Sequence, residues 1–133
     1  MAAFWGCANL EKVTYTNGAG TIGFACFAEC KKLKSVAIPE GISAIDKSCF
    51  ANCKKLKRIN LPSTLKTIGE NGFYGCTGLR TVTVKGRVTK CKIFAFYKVK
   101  NCKIILKTKA AKKSKKVFAK ELKQEGNKKV KIK

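Results

Sequence analysis

A phenylalanine recurs every 23 residues through most of this 133-residue chain, at Phe4, Phe27, Phe50, Phe73 and Phe96. Seven further columns of Cys, Leu, Val, Ile and Pro keep the same step and phase. A fixed period of this length is the signature of a repeat architecture. One such repeat cannot bury its own apolar side, so each coil must stack on its neighbours.

Each repeat contains one segment with the alternation of a short strand, such as residues 33–38, and Pro39 then ends it because proline has no N–H to donate. One strand per 23-residue coil, always in the same direction, predicts a parallel sheet with coils about 4.8 Å apart. The other apolar positions, three to five residues apart, predict turns and a short helical segment around each Phe. The predicted strand windows are residues 10–15, 33–38, 56–61, 79–84 and 102–107.

The repeat pattern decays towards the C-terminus, where Lys85, Cys91, Val99, Cys102 and Lys107 stand at positions that hold other residue types in earlier copies. We expect residues 1–107 to form a solenoid of about five coils. Residues 108–133 are Lys-rich and predict a degenerate repeat or C-terminal cap, since the end of a stack needs a polar outer side.

A helix is predicted from Ser114 to Glu125, with a strand after it. Ser114 is the expected N-cap and Gly126 the expected stop of this helix. Val117, Phe118 and Leu122 should form its packing side, and Val130 and Ile132 should belong to the following strand. The first copy begins directly at its repeat Phe with no equivalent cap, which favours a fragment of a longer protein.

The chain is strongly basic, with 30 Lys and Arg against seven Asp and Glu, a net charge of +23. The first 66 residues hold ten basic and four acidic residues, and the remainder hold twenty and three. This asymmetry favours polyanionic partners. The alternative is that the lysines only keep an apolar stack soluble.

The sequence lacks several features that catalysis and targeting require. There is no histidine, the acids share no repeat column, and residues 17–20 read as a turn without the Lys-Ser/Thr ending of a phosphate loop. We therefore expect no enzyme activity and no cofactor. No run of eighteen apolar residues predicts a membrane span, and the first residues lack the features of a signal peptide.

The eight cysteines follow the repeat. One column holds Cys7, Cys30, Cys53 and Cys76, and a second holds Cys26 and Cys49. Together the two columns give two C-x-x-x-C pairs, Cys26 with Cys30 and Cys49 with Cys53, and a zinc site could use this spacing. Both columns continue with Val, Gly or Ala, which cannot bind a metal, so packing as small buried residues is the favoured interpretation. We expect the first column to be free thiols without metal.

The aromatic residues divide into two groups. The Phe column could serve as a stacking platform for nucleic acid, but its place among buried apolar columns favours core. Trp5, Tyr74 and Tyr97 each follow a column Phe, so we expect them to be partly exposed and available for contacts.

One basic column is a candidate site. Its members are Lys34, Lys57, Arg80 and Lys103, each directly after the first core residue of the strand segment. Stacking would align these charges at the edge of the sheet over about 15 Å, where a polyanion could bind. The alternative is a solvated face without a ligand.

Two segments, residues 33–39 and 56–62, resemble the BspA-like class of leucine-rich repeats, found in surface proteins of bacteria and some parasitic protists. The resemblance covers residues 4 to about 107. It implies a curved α/β repeat solenoid with its parallel β-sheet on the concave side. It also implies a non-enzymatic recognition or adhesion module, at a cell surface or secreted, with a macromolecular partner.

Two other functions remain open from the sequence alone. The chain could bind polyanions by charge alone, with a wall polymer, acidic glycan or nucleic acid as ligand. It could also be a structural stalk segment of a longer protein that needs no ligand. Lysine outnumbers arginine, which argues against base-specific readout of nucleic acid because lysine acts as a point charge.

Overall fold

The computed structural model describes residues 2–15, 18 and 20–133. These residues form stacked coils that are followed by two short helices and a last strand. The elements in chain order are β1 (Lys12–Thr14), β2 (Gly20–Ile22), β3 (Ser35–Ala37), β4 (Ile42–Ile45), β5 (Arg58–Leu61), β6 (Thr67–Ile68), β7 (Thr81–Val84), β8 (Lys90–Cys91), β9 (Cys102–Leu106), α1 (Lys109–Lys112), α2 (Lys115–Gln124) and β10 (Val130–Ile132). The turn predicted at residues 17–20 falls partly outside the described residues.

A six-stranded parallel sheet confirms the predicted strands, in the order β1-β3-β5-β7-β9-β10. Its pairs join like positions of successive repeats, Val13 with Val36 and Ile59 with Val82. Alternate residues of these strands are buried, as in Arg58–Leu61, where Ile59 and Leu61 face the core. One face of the sheet therefore covers the core and the other faces solvent.

A second parallel sheet, which the sequence analysis missed, runs in the order β2-β4-β6-β8. Its longest strand buries Ile42 and Ile45, three residues apart, so it lacks the simple alternation that marks a strand. Each full coil thus contributes two strands. The molecule is a parallel β-solenoid, and in the described residues helix is confined to α1 and α2.

The predicted helical segment around each Phe is wrong, because the backbone there forms turns. The residues two before and two after the Phe have positive φ in successive coils, a conformation that ends a right-handed helix. The two columns are Ala25, Ser48, Asn71 and Phe94, and Gly6, Glu29, Asn52, Gly75 and Lys98.

The phenylalanine column forms the centre of the core, as predicted. Phe27, Phe50, Phe73 and Phe96 are fully buried, and adjacent rings stack with centroids 5.4 to 5.6 Å apart. Phe4 stacks on Phe27 in the same way but is 44% exposed, because it lies in the first coil.

The fifth coil is one residue shorter than the others in its strand register. Val82 pairs with Ile104, and Val84 with Leu106, a step of 22 residues. A constant 23-residue step would place Ile105 and Lys107 at these core positions, but the register places Ile104 and Leu106 there instead. Ile104 is fully buried, whereas Ile105 is half-buried and Lys107 is exposed. The shift keeps an apolar residue at both inward positions.

A last coil contains α1, α2 and β10, and β10 pairs with β9 in parallel. Phe118 and Leu122 on α2 are buried, and the Phe118 ring lies 6.1 Å from that of Phe96. Ser114 occupies the N-cap position as predicted, but its side chain does not cap the helix. Its hydroxyl instead accepts a hydrogen bond from Val88 N at 2.8 Å.

Two side chains of this last coil bond to the backbone of the fifth coil. Glu121 Oε2 accepts a hydrogen bond from Phe94 N at 3.0 Å. Asn127 Nδ2 donates to the carbonyl oxygens of Phe96, at 2.9 Å, and Val99, at 3.2 Å. Polar groups that another repeat would satisfy are thus satisfied by the last coil.

Candidate binding surface

The solvent-facing side of the six-stranded sheet presents a row of basic and hydroxyl side chains. Strand register brings Lys12 beside Ser35, Arg58 beside Thr81, and Thr81 beside Lys103, which in turn lies beside Lys131. The basic members of this row are exposed. The face thus offers cations with hydroxyl groups between them.

The row predicted from the sequence lies along the same sheet, one residue before β3, β5 and β7. Lys34 is its first member, and its Nζ lies 3.0 Å from Glu11 Oε1 in an ion pair. The hydrogen bond and the charge of Lys34 lower the pKa of the Glu11 carboxyl. Glu11 therefore offsets part of the charge at this end of the row.

Arg80 is tied to the backbone around it. Its Nη1 donates to the carbonyl oxygens of Thr77 at 2.9 Å, Leu79 at 3.2 Å and Lys100 at 3.2 Å. Lys57, one coil earlier, is exposed.

Lys103 is out of register with the rest of the predicted row. The short fifth coil places Lys103 opposite Thr81 rather than Arg80. It therefore belongs to the row with Lys12 and Arg58. The structure brings Lys34, Lys57 and Arg80 together and moves Lys103 to the adjacent row.

Sequence reasoning missed Lys12, Arg58 and Lys131 as members of this face. The available signal was the alternation within each strand, because the residue before an inward-facing Val or Ile must point outward. Lys12 precedes Val13 and Arg58 precedes Ile59 in this way.

A shallow depression of about 360 Å³ lies at one side of the face, lined by residues that include Lys12, Asn60, Lys85 and Glu40. The Glu40 carboxylate accepts hydrogen bonds from the hydroxyl of Ser63 at 2.7 Å and from its backbone N at 3.0 Å. These bonds lower the pKa of Glu40. Glu40 is thus engaged in holding successive turns together.

The C-terminal half carries the strongest positive charge. Residues 71–120 contain fifteen Lys and Arg and no acid. The two acids that follow, Glu121 and Glu125, are buried. The charge of the exposed lysines around them is therefore not offset at the surface.

The cysteines are free thiols, and Cys30, Cys53 and Cys76 are buried as predicted. Each of these three thiols also donates to the carbonyl oxygen of the Phe in the preceding coil, Cys53 to Phe27 at 3.1 Å for example. Burial raises the pKa of the Cys76 thiol to about 12 and also raises that of Cys53. They are therefore thiols, not thiolates, at neutral pH.

Two properties of the described part of the chain bear on other kinds of site. Its Cys, Asp and Glu residues form no group of three or more that could hold a metal ion. Its helices are all too short or too polar to cross a membrane.

Comparisons with known proteins agree with the stacked-coil architecture of this chain. A family model for a BspA-type leucine-rich repeat region of six copies matches residues 1–124. This chain belongs to the BspA-type leucine-rich repeat family. Repeats of this family suggest a module for interaction with proteins. No curated protein matches the sequence.

The crystal structure of the leucine-rich repeat protein of T. pallidum is similar to this BspA-type chain, with a TM-score of 0.76 and 29% sequence identity. The similarity covers 80% of this chain and 50% of the T. pallidum protein. This chain therefore matches about half the length of that protein.

Proposed function

We propose that this chain is a non-enzymatic recognition module that binds an acidic macromolecule across the solvent-facing side of the six-stranded sheet. The observation that carries the proposal is the row containing Lys12, Arg58, Lys103 and Lys131, which strand register aligns on one face. Family membership supports recognition as the class of function.

The spacing of this row suits an extended acidic partner. Adjacent strands of a sheet lie about 4.8 Å apart, so Lys12 and Arg58, two strands apart, are separated by about 10 Å along the stack. Ser35 and Thr81 stand in the intervening positions and can donate hydrogen bonds from their hydroxyl groups. Carboxylate, sulfate or phosphate groups carried on a protein or a polymer would meet a donor on each strand.

The finer parts of the proposal follow from the family resemblance. The resemblance implies that the six-stranded sheet lines the concave side of the solenoid, where a partner chain would contact many strands at once. It also implies adhesion at a cell surface as the setting. Glu11, which directly precedes β1, forms an ion pair with Lys34. It therefore places one acidic side chain beside the row predicted from the sequence.

The test uses a heparin-like sulfated glycan as the acidic probe, at two salt concentrations. We expect a variant with Lys12, Arg58, Lys103 and Lys131 all changed to Gln to bind at least about tenfold more weakly, with a flatter dependence on salt. A matched control changes four exposed lysines of the turns, Lys31, Lys32, Lys54 and Lys55, to Gln and removes the same charge.

A third variant changes the row predicted from the sequence, Lys34, Lys57, Arg80 and Lys103, to Gln. We expect an intermediate loss, because Lys34 already has a carboxylate partner and Arg80 is bonded to backbone. Equal losses in all three variants would overturn the proposal and leave binding by net charge alone.

A further inference from the structure

We propose that a groove at the C-terminal end of the solenoid binds single-stranded nucleic acid, with Tyr97 stacking on a base and surrounding lysines holding the phosphates. The groove lies between residues 97–100 of the fifth coil and residues 125–129 after α2. This site is separate from the sheet face of the proposed function.

The groove has a fixed shape because its two sides are hydrogen-bonded together. Asn127 Nδ2 bonds to the carbonyl oxygens of Phe96 and Val99, and Asn127 Oδ1 accepts from Lys129 N at 2.9 Å. The volume enclosed is about 360 Å³. This is large enough for part of a nucleotide, and the site is formed before any ligand arrives.

Tyr97 provides an exposed aromatic surface that its neighbours hold in place. Its ring is stacked on that of Tyr74 with centroids 5.8 Å apart, and the Phe94 ring lies 5.1 Å away at a tilt of 55°. The Tyr97 side chain is nonetheless 38% exposed. A held, exposed ring is the type of surface on which unpaired bases stack, because every base has a π-face.

The charge of the groove is positive on both sides. Lys98 and Lys100 line one side and Lys128 and Lys129 the other, and all four are exposed. The Nζ of Lys98 lies over the Tyr74 ring, 5.5 Å from its centroid, and so places its charge beside the Tyr74–Tyr97 stack. Glu125, the acid that lines the groove, is 8% exposed, so it offsets little of this charge at the surface. Lysines act as point charges, so they suit phosphates and do not read base edges.

The exposed Tyr97 ring and the surrounding lysines together select the class of ligand. A sulfated glycan or an acidic peptide would satisfy the lysines, but its chain carries no sequence of flat aromatic faces for Tyr97. Duplex DNA has phosphates, but its bases are paired and stacked inside the helix. An unpaired strand supplies both accessible bases and phosphates.

The first experiment tests stacking with a fluorescein-labelled oligothymidylate, by fluorescence anisotropy. We expect Tyr97→Ala to weaken binding by about 5- to 100-fold while leaving the salt dependence unchanged, because stacking carries no charge. Trp5→Ala is the matched control. Trp5 occupies the same repeat column at the other end of the stack and is 63% exposed, so its loss should not change binding.

The second experiment tests the charges. Changing Lys98, Lys100, Lys128 and Lys129 to Gln should weaken binding and lower the slope of log K against log salt by about 3, at about 0.7 per phosphate contact on a single strand. The control with Lys31, Lys32, Lys54 and Lys55 changed to Gln removes equal charge elsewhere. It should lower the slope by less than half as much.

Two results would overturn the inference. One is unchanged oligothymidylate affinity in Tyr97→Ala, with circular dichroism showing that the variant is folded. The other is binding of duplex DNA or a heparin-like glycan as tight as that of oligothymidylate when the sheet-face charges have been removed by changing Lys12, Arg58, Lys103 and Lys131 to Gln. The sheet-face variant, with Lys12, Arg58, Lys103 and Lys131 changed to Gln, separates the two proposals. It should retain most oligothymidylate binding whether or not the sheet face has a ligand.

Discussion

The central repeats and the last coil meet the same backbone requirements with different side chains. In the repeats, the thiols of Cys53 and Cys76 donate to the carbonyl oxygens of Phe27 and Phe50, at 3.1 and 3.0 Å. In the last coil there is no equivalent thiol bond to Phe96, and the side-chain amide of Asn127 donates to that carbonyl instead. Each of these carbonyls also accepts a backbone N–H, as Phe96 O does from Val99 N at 3.0 Å, so the side-chain donor adds a second bond and its chemical type is free to change.

The backbone amides show the same difference. Ser48 N and Asn71 N donate to carbonyl oxygens of the next coil, Glu70 at 2.8 Å and Ile93 at 3.1 Å. Phe94 N occupies the same repeat position but donates to the Glu121 carboxylate. The repeat sequence thus ends before the repeat bonding does, and the side chains of Ser114, Glu121 and Asn127 complete the stack.

The largest effect that should distinguish the two regions is the loss of Glu121. We expect Glu121→Ala to lower the free energy of unfolding by about 2 kcal/mol, because it removes a buried carboxylate acceptor from the partly buried amide of Phe94. Glu121→Gln keeps a carbonyl acceptor and should cost less. Urea denaturation measures both, and faster hydrogen exchange at the Phe94 amide would locate the change. An Ala variant as stable as the parent would mean that the last coil does not cap the stack.

The second test concerns pH and uses Glu125, the C-cap residue of α2, which lies one turn after Glu121. Burial, and then the hydrogen bond with Glu121, raise the pKa of Glu125 to about 8. A carboxyl whose pKa is higher in the folded chain than in the unfolded chain binds its proton more tightly when folded. Its contribution to stability is therefore complete below about pH 4.3 and is lost as the pH rises through about 8.

We accordingly expect Glu125→Gln, which cannot ionise, to become more stable relative to the parent as pH rises from about 5 to 9. Thermal unfolding at several pH values gives this difference, and subtraction of the parent removes the contributions of titrating groups that do not interact with Glu125. A difference that stays flat over that range would show that the last coil contains no buried ionisable group of this kind.

The smallest effect is expected in the repeats, at Cys53. Cys53→Val resembles the change to Val99 in the same column, adds a little apolar volume and loses the thiol hydrogen bond. We expect a cost of about 1 kcal/mol or less. Cys53→Ser keeps a donor for the Phe27 carbonyl and should cost about 1 kcal/mol. Chemical denaturation measures both, and a loss beyond about 3 kcal/mol in either variant would show that the thiol has a larger role than one bond and its packing.

The 23-residue period predicted the six-stranded sheet and the stacked Phe core, because identical spacing forces like residues to lie over like. It did not predict the second sheet, since Ile42 and Ile45 are buried three residues apart. It predicted helix where positive φ at Glu29 and Asn52 imposes a turn. Gly6, Asn52 and Gly75 are residue types that favour positive φ, but Glu29 and Lys98 at the same repeat position obscure this signal.

The candidate surface was predictable only in part. The column containing Lys34 and Lys57 was visible as a spacing, but the ion pair of Lys34 with Glu11 depends on side-chain position. The shift of Lys103 follows from a fifth coil that is one residue short after Phe96, because Phe96 stacks on Phe73 whereas Lys103 pairs with Thr81. The spacing of the phenylalanine column does not reveal this shift, because Phe96 still follows Phe73 by 23 residues.

The stacked coils also define how the molecule would respond to mechanical force. Bonds between coils run along the stack, as from Phe27 N to Cys49 O at 2.8 Å and from Phe50 N to Gly72 O at 2.9 Å. Tension applied between the two ends would pull directly along these bonds and place every coil junction under the same load. Such a chain would lengthen in discrete steps as single coils detach. Each detached coil would add 22 or 23 residues of unfolded chain to the distance between the ends.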